Sequence, residues 1–438
     1  MTILVSGHTM HASDAQGWLA EWGPMPRRKV RTYRWPPSLI VRQAGSALYV
    51  GALAKWRELP RWFLTYGFRC LPGAAGSRGM GCIGFPSHPV WEMTTACNLR
   101  CIHCHTSGGN ATQGELTTAE AKRLLDQLAD VDEFRMMAFT GGEPLVRSDL
   151  FELLAYSQAL GFTNTMATNA TLIDDPVARA LKRHGVVIAA VSLDGFDAAS
   201  HDRIRGAPGA FDTAVQGMRA LRRAGTLLHI NITAMEYNMD QMEPLMDLVE
   251  ELGTGILLMY QLVPVGRGKG IGEAALDLHA NERLIRFMAR AQQTTRAIME
   301  PVAGPQYWPF LLEQAGIKRG PLLRLAETVF HGCCAGRGFV YIKPDGQVWS
   351  CPFVEVSCGS VRDTPFSSIW ADAPILREFR QRESRLKGRC GECEYRRLCG
   401  GCRGRALAVT GDHLAEDPSC FIHAPPEHEG TDARSSAA

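Results

Sequence analysis

No stretch of this chain is apolar for the roughly 20 residues that a bilayer crossing needs; its longest apolar runs, near Val186–Leu193 and Ile256–Val265, suit buried strands. Charge of one sign is also missing overall. The formal net charge is +2, so no global field draws the chain to nucleic acid. The opening residues, MTILVSGHTMHASD, lack the charged and then apolar regions of a secretory signal, and the expected location is the cytoplasm. Acid is scarce in one place: between Trp22 and Trp91 only Glu58 is acidic, against eleven Lys or Arg. That span also holds an amphipathic stretch, Ala47–Phe68. It reads as a helix covering the main domain with its arginines solvated. The other reading is a docking surface for an anionic partner, with membrane-surface contact the less favoured version.

What is plentiful is cysteine, fourteen residues in a chain whose expected compartment is reducing. Short fixed spacings in such a compartment point to metal rather than disulfides. Three cysteines lie at 97–104 and nine between 333 and 420. Residues 1–88 form a basic extension, 89–265 an alternating α/β domain, 266–332 a connecting helical region, 333–424 a cysteine- and glycine-rich domain, and 425–438 a tail of disordered composition.

Within the α/β domain, strands are expected at Val90–Thr95, Met136–Thr140, Thr163–Thr168, Val186–Ser192, Leu228–Ala234 and Ile256–Gln261. Helices are expected at Thr118–Ala129, Asp149–Leu160, Pro176–Lys182, Phe211–Ala224 and Asp240–Leu252. Such alternation implies parallel strands joined by right-handed crossovers, a partial (β/α)6 barrel of the TIM type with its site at the strand C-termini. A further helix is expected over Asn281–Glu300, broken by PVAGPQYWPF. Metal rather than an apolar core is expected to organise 333–420.

The segment WEMTTACNLRCIHCHTSGGN places Cys97, Cys101 and Cys104 in C-x3-C-x2-C directly after the first strand. Three thiolates can hold three corners of a four-iron cubane and leave one iron without a protein ligand. An open position of that kind binds substrate or cofactor, as in catalytic zinc sites. The competing reading is a zinc site completed by His103 or His105.

The loop resembles the signature of the radical SAM superfamily, and the resemblance covers roughly residues 89–265. It implies that the open iron chelates S-adenosylmethionine (SAM), and that an electron from the cluster releases a 5′-deoxyadenosyl radical. His103 stands where many members have an aromatic residue. Gly141, Gly142 and Glu143 resemble the family's GGEP turn, with Glu143 facing the SAM ammonium. Thr168 and Asn169 resemble its TNG position, and Ser192 with Asp194 its SLDG turn. By the same resemblance Arg205 faces the SAM carboxylate, and Val263–Gly268 lies near adenine. For the residues after Glu143 the plainer reading is ordinary turn chemistry. No hydrogen-donating catalytic residue is assigned; Tyr260 and Gln261 face the barrel mouth, with packing the simpler role for Tyr260.

The C-terminal cysteines begin with Cys333, Cys334, Cys351 and Cys358, with Gly346 five residues before Cys351. Cys390, Cys393, Cys399 and Cys402 follow in C-x2-C-x5-C-x2-C, and Cys420 comes last. Taken alone, the run of four is compatible with a zinc ribbon. The whole order resembles the SPASM domain, departing only in the two residues between Cys399 and Cys402 where the family usually has three. The resemblance implies one or two auxiliary [4Fe-4S] clusters. Cys390, Cys393, Cys399 and Cys420 would hold one. Cys351 and Cys402 would join the other, with Cys333, Cys334 and Cys358 as the candidates to complete it. The resemblance further implies an electron donor such as flavodoxin or ferredoxin. Peptide or protein maturation is the favoured activity. Tetrapyrrole side-chain modification is the alternative, and CGGCRGRALAVTGDHLAEDPSC looks closest to that group. A non-enzymatic iron–sulfur or zinc scaffold would leave the GGEP turn beside the three-cysteine loop unexplained.

Overall fold

The computed structural model describes residues 3–5, 8–10 and 88–422, except 132, 133, 135, 293, 296, 330 and 331. The expectations for the basic extension, its amphipathic stretch and the tail therefore lie outside the described residues. Ile3–Val5 pairs antiparallel with His8–Met10.

The rest is organised by one ten-stranded sheet. Its first six strands are β1 (His88–Glu92), β2 (Met136–Thr140), β3 (Thr163–Thr168), β4 (Val186–Ser192), β5 (Leu227–Ala234) and β6 (Ile256–Gln261). They run parallel in chain order, within a few residues of the sequence expectation. The reason is visible in β4: Val186, Ile188, Ala189 and Val191 are all buried, as in a sheet covered on both faces. Helices α1 (Thr118–Ala129), α2 (Leu150–Ala159) and α3 (Asp175–Arg183) make the first crossovers. α4 (Ala198–Arg205), α5 (Ala210–Arg223) and α6 (Met242–Glu251) follow. Thr117 and Glu120 close a capping box on α1, which buries Ala121, Leu124, Leu125 and Leu128. α4 is a helix that the hydrophobic pattern did not announce; its sequence AASHDRIR is largely polar.

The helix expected over Asn281–Glu300 is corrected. α7 (Leu278–Ala291) stops, and Ile298–Val302 forms β7, parallel to β6. The Gln292 side chain accepts from the Met299 amide (2.7 Å) and donates to the Ala297 carbonyl (3.0 Å), turning the chain where Pro301 would forbid a helix. PVAGPQYWPF leads into another helix, α8 (Tyr307–Gln314), which buries Tyr307, Trp308, Phe310, Leu311 and Leu312.

The cysteine-rich region is also corrected: it shares the main core. Strand β8 (Phe339–Ile342) lies parallel beside β1, followed by antiparallel β9 (Gln347–Cys351) and β10 (Val354–Ser360). Val340, Ile342, Val348, Phe366, Ile369 and Leu376 join the same apolar cluster as the barrel strands. Eight strands, β8 and β1 to β7, are thus parallel, and among the described residues the outer strands β10 and β7 do not pair to close a barrel. No described helix is long and apolar enough to cross a membrane.

Candidate active site and iron–sulfur regions

Beyond β1 the chain crosses the C-terminal ends of the strands as the cysteine loop. The Cys97 amide donates to the Gly109 carbonyl (2.9 Å) and the Gly109 amide to the Thr95 carbonyl (2.8 Å), closing the loop. Glu115 accepts from the Thr95 amide (2.8 Å) and hydroxyl (3.0 Å). The sulfurs receive donors: Leu99 N–H to Cys97 Sγ (3.4 Å), Gly108 N–H to Cys104 Sγ (3.3 Å) and Arg205 Nη1 to Cys101 Sγ (3.7 Å). Burial pushes the Cys97 thiol up to about 12 and raises Cys101. A metal, which binds thiolate, therefore displaces protons here, and the N–H donors favour the charged form it needs.

Both histidines have contacts apart from the thiols. His103 Nε2 lies 3.3 Å from Asp194 Oδ2, and burial lowers the ring to about 4. The His105 ring packs edge-on against Phe353 (5.7 Å) and Tyr341 (6.3 Å). Arg267, within the VPVGRG stretch, donates to the carbonyls of Cys101 (2.7 Å) and Gly108 (3.0 Å), and its amide to Cys104 (2.9 Å). A Cβ on Gly266 (φ +53) would lie 2.2 Å from the His105 carbonyl oxygen. This stretch therefore pins the cysteine loop, a role its position near the sixth strand did not reveal.

The glycine turn after β2 approaches the same loop. Gly142 N–H donates to the Thr94 carbonyl (2.7 Å) and Glu143 N–H to the Ala96 carbonyl (2.8 Å). A Cβ on Gly142 would lie 2.2 Å from the Ala96 oxygen, and one on Gly141 would lie 2.6 Å from the Thr94 oxygen. Glu143 is wholly buried and accepts from the Thr168 hydroxyl (2.9 Å) and the Asn169 amide (2.8 Å). Burial raises its carboxyl to about 7. Asn169 Nδ2 donates to Asn98 Oδ1 (2.9 Å), binding the end of β3 to the loop. Asp194 is fully buried; Oδ2 pairs with Arg205 Nη2 (2.5 Å) and Oδ1 accepts from the Thr233 amide (2.8 Å). Ser192 ends β4 opposite Asn231. Arg205 is thus held between Asp194 and Cys101, with its Nε buried and unpartnered. Residues from four strand ends meet at one place.

A second buried set joins this loop to the C-terminal region. Glu92 accepts from Tyr341 (3.0 Å) and Lys343 (2.5 Å), which belong to and follow β8. Gln261 turns away from any chemistry: it accepts from Arg405 Nη1 (2.7 Å) and donates to Asn281 (2.6 Å).

The C-terminal cysteines fall into two groups. Cys390, Cys393, Cys399 and Cys420 line one recess of about 420 Å³, counting its open mouth, together with Arg389, Gly400, Gly401 and Asp417. Cys402 points elsewhere. Its thiol, raised by burial to about 11, feels Cys333. Cys333 shares an apolar cluster with Cys351. Burial alone would raise Cys333, yet Arg382, the amides of Ala335 and Arg403, and the Arg403 guanidinium hold it below its ordinary value. Cys358, pushed up by burial to about 12, faces Arg380 rather than these thiols. Cys334 is buried, and its carbonyl accepts from the Arg337 (3.0 Å) and Gly338 (2.9 Å) amides. The run Cys390–Cys402 therefore does not close on itself as a ribbon would, because Cys420 stands where the fourth thiol would be.

These arrangements fit iron–sulfur clusters. The donor sets are thiols, several sulfurs face amide or guanidinium donors, and Gly401 (φ +61) lies so close that a Cβ would meet Cys390 Sγ at 3.1 Å. Among the described residues no three His, Cys, Asp or Glu side chains stand at the spacing of a single bound ion; a cubane holds its ligands apart at separate corners. A three-thiol loop at the parallel strand ends beside a cysteine-rich domain is the arrangement of an iron–sulfur enzyme.

Comparison with known proteins agrees. Residues 91–249 match the Radical SAM superfamily and residues 333–394 the iron–sulfur cluster-binding domain SPASM. The AdoMet-dependent heme synthase of Nitratidesulfovibrio vulgaris is 37% identical over 335 residues, 76% of this chain and 91% of that protein. The mycofactocin maturase MftC of Mycobacterium tuberculosis is 33% identical over 341 residues, 76% of this chain and 82% of that one. In structure, SuiB of Streptococcus suis bound to S-adenosylmethionine superposes with a TM-score of 0.59 at 19% identity, over 77% of this chain and 78% of that one. This chain belongs to the radical SAM superfamily. It is an enzyme whose cofactors are SAM and iron–sulfur clusters.

Proposed function

We propose that this enzyme oxidises a side chain of a tetrapyrrole, with the radical generated at Cys97, Cys101 and Cys104. The three-thiol loop carries the reaction class. The substrate class is supported by the match to the heme synthase, which runs through both domains and nine-tenths of that protein at 37% identity. When bound, the cluster and SAM supply a 5′-deoxyadenosyl radical, which takes a hydrogen atom from the substrate.

The chain's own residues do the positioning. Arg267 and the Gly142 turn fix the loop, so that the three thiols keep one geometry. Glu143 orders Thr168 and Asn169 at the edge where SAM would lie. Asp194 neutralises Arg205 beside Cys101. An electron donor of the flavodoxin or ferredoxin kind would feed the cluster. Cys390, Cys393, Cys399 and Cys420 would hold one auxiliary cluster, and Cys333, Cys351 and Cys402 would bind the other.

Peptide or protein maturation is the second reading, supported by the 33% identity to the maturase and by the basic span at 22–91, which suits an acidic peptide. One experiment separates them. Anaerobically reconstituted enzyme receives dithionite, SAM and either an iron porphyrin with carboxylate side chains or an acidic peptide. The proposal expects 5′-deoxyadenosine in proportion to tetrapyrrole mass change, and only background with the peptide. A modified peptide beside an unchanged porphyrin would overturn it in favour of maturation.

A further inference from the structure

Three arginines lie inside the C-terminal domain. Arg382 and Arg403 have no exposed surface, and Arg405 has 2%. A buried guanidinium is costly unless an anion compensates it. Arg405 has one: its Nε and Nη2 reach the two oxygens of Asp417 at 2.7 and 2.9 Å. Among the described residues Arg382 and Arg403 form no salt bridge with a carboxylate. Arg403 donates to the carbonyls of His413 (3.0 Å) and Ala415 (2.6 Å), and its Nη2 lies 3.6 Å from Cys390 Sγ. Arg382 Nη2 donates to the Cys333 carbonyl (2.6 Å), while its Nε and Nη1 are buried with no partner.

Both arginines face cysteine, and each also feels one carboxylate without pairing with it, Asp417 for Arg403 and Glu383 for Arg382. Arg403 bears on both groups: its guanidinium stands 3.6 Å from Cys390 Sγ, and its charge helps to lower the Cys333 thiol. The Gly400–Gly401 pair makes room for this. Both residues have left-handed backbone (φ +68 and +61). A Cβ would meet Arg382 Nε at 2.9 Å from Gly400 and Arg403 Nη2 at 2.4 Å from Gly401. The two-residue spacing between Cys399 and Cys402, unusual for the SPASM pattern, is thus packed against guanidinium groups.

We propose that Arg403 and Arg382 are the counter-charges of the two auxiliary iron–sulfur clusters and hold their reduction potentials up. A thiolate-ligated cubane is an anion and gains negative charge on reduction, so a fixed positive charge in a low-dielectric interior favours the reduced form. Such clusters accept an electron more readily, as the oxidation of a substrate requires. The inference rests on the cluster-binding reading of these cysteines, and iron analysis reports on that reading separately.

The test uses the full chain with Cys97, Cys101 and Cys104 all changed to alanine, so that only C-terminal clusters give a signal. Iron and sulfide are counted first, then each cluster is titrated by EPR under controlled potential. Arg403→Gln should make reduction at least about tenfold less favourable, a fall of ~59 mV for one electron. Arg403→Lys, which keeps the charge, should restore most of it, and Arg382→Gln should lower the potential of the cluster nearer Cys333. Full iron loading with potentials unchanged in both Gln variants would overturn the proposal. If the Gln variants fail to load iron, Arg403→Lys and Arg382→Lys decide: loading rescued by lysine supports a charge requirement, and failure of lysine too would mean that only guanidinium geometry matters and would refute it. Near-zero iron in the unaltered arginine background would instead overturn the cluster reading itself.

Discussion

The loop at Cys97–Cys104 and the fold around Cys390–Cys420 both bury thiols, and they compensate them differently. At the loop the nearby guanidinium, Arg205, is already paired with Asp194 at 2.5 Å, so its charge is largely spent. Besides the 3.7 Å contact of Arg205 to Cys101, the sulfurs receive main-chain N–H, and three thiols are present. In the C-terminal recess four thiols line one wall, and Arg403 reaches Cys390 with no carboxylate of its own. The first arrangement leaves a corner and a charge balance for an incoming ligand to complete. The second offers four thiols to one cluster and adds a guanidinium to a lining that also holds Asp417 and Glu416, which suits storage of an electron under the proposed reading.

The sharpest way to break this comparison is to spoil each region alone with one methyl group. Gly142→Ala drives a Cβ to 2.2 Å from the Ala96 oxygen and must shift the cysteine loop. It should cut 5′-deoxyadenosine formation by roughly a hundredfold or more, the effect of misplacing reacting groups by about 1 Å, while C-terminal iron stays in place. Gly401→Ala, strained in φ and pressed on Arg403, should do the converse: loss of C-terminal iron, with substrate-free SAM cleavage still detectable. Iron content and product release by chromatography check both. Equal losses in the two variants would mean that the regions fold as one unit.

A smaller effect sharpens the charge argument. Asp194→Asn leaves Arg205 buried without its counter-ion, which should cost about 3–5 kcal/mol in urea denaturation. Asp194→Asn together with Arg205→Met should recover much of that. If the single variant is as stable as wild type, the Arg205 charge is already balanced by the cysteine loop, and the contrast between the two regions disappears.

The smallest effect lies away from both. His229 on β5 is buried, and burial lowers its ring to about 3. Its folded value is depressed, so its contribution is present above the unfolded value near 6.5 and is lost as pH falls below that. Between pH 7 and pH 5 this loss should be about 2 kcal/mol. His229→Phe should flatten that part of the stability–pH curve, whatever it does to stability at neutral pH. An unchanged slope would assign acid sensitivity to the cysteine regions instead.

Much of this was legible in the sequence. Several of the six strands are the apolar runs that a doubly covered sheet demands, and β4 reads as one without ambiguity, whereas β3, TNTMAT, buries only alternate residues. β7 does not, because IMEPV carries Glu300 and Pro301; it is the last strand of the sheet, where an edge tolerates proline. β8 was hidden for a different reason: flanked by cysteines and glycines, its four residues gave too short a pattern to separate from loop. The cysteine motifs announce themselves by spacing, but Arg382, Arg403 and Arg405 do not. Charged residues in a loop-rich region read as solvated, but residues 413–417 close over Arg403 and Arg405, and Cys333 with Gly400 packs against Arg382. The choice between Cys333 and Cys334 was likewise closed to spacing. Adjacent residues differ in where their side chains point, and the charge of Cys333 acts on Cys402, which favours Cys333 in the proposed second set.

The central claim is that Cys97, Cys101 and Cys104 hold a cluster with an open iron, separate from the C-terminal iron. It is tested most directly by comparing EPR spectra of the reduced wild type and the triple alanine variant, each with and without SAM. The account expects SAM to change the wild-type spectrum and 5′-deoxyadenosine to appear. In the variant the remaining signal, from about eight irons if two cubanes are loaded, should be indifferent to SAM, with no 5′-deoxyadenosine formed. A SAM-responsive signal in the variant, or undiminished 5′-deoxyadenosine from it, would contradict the account.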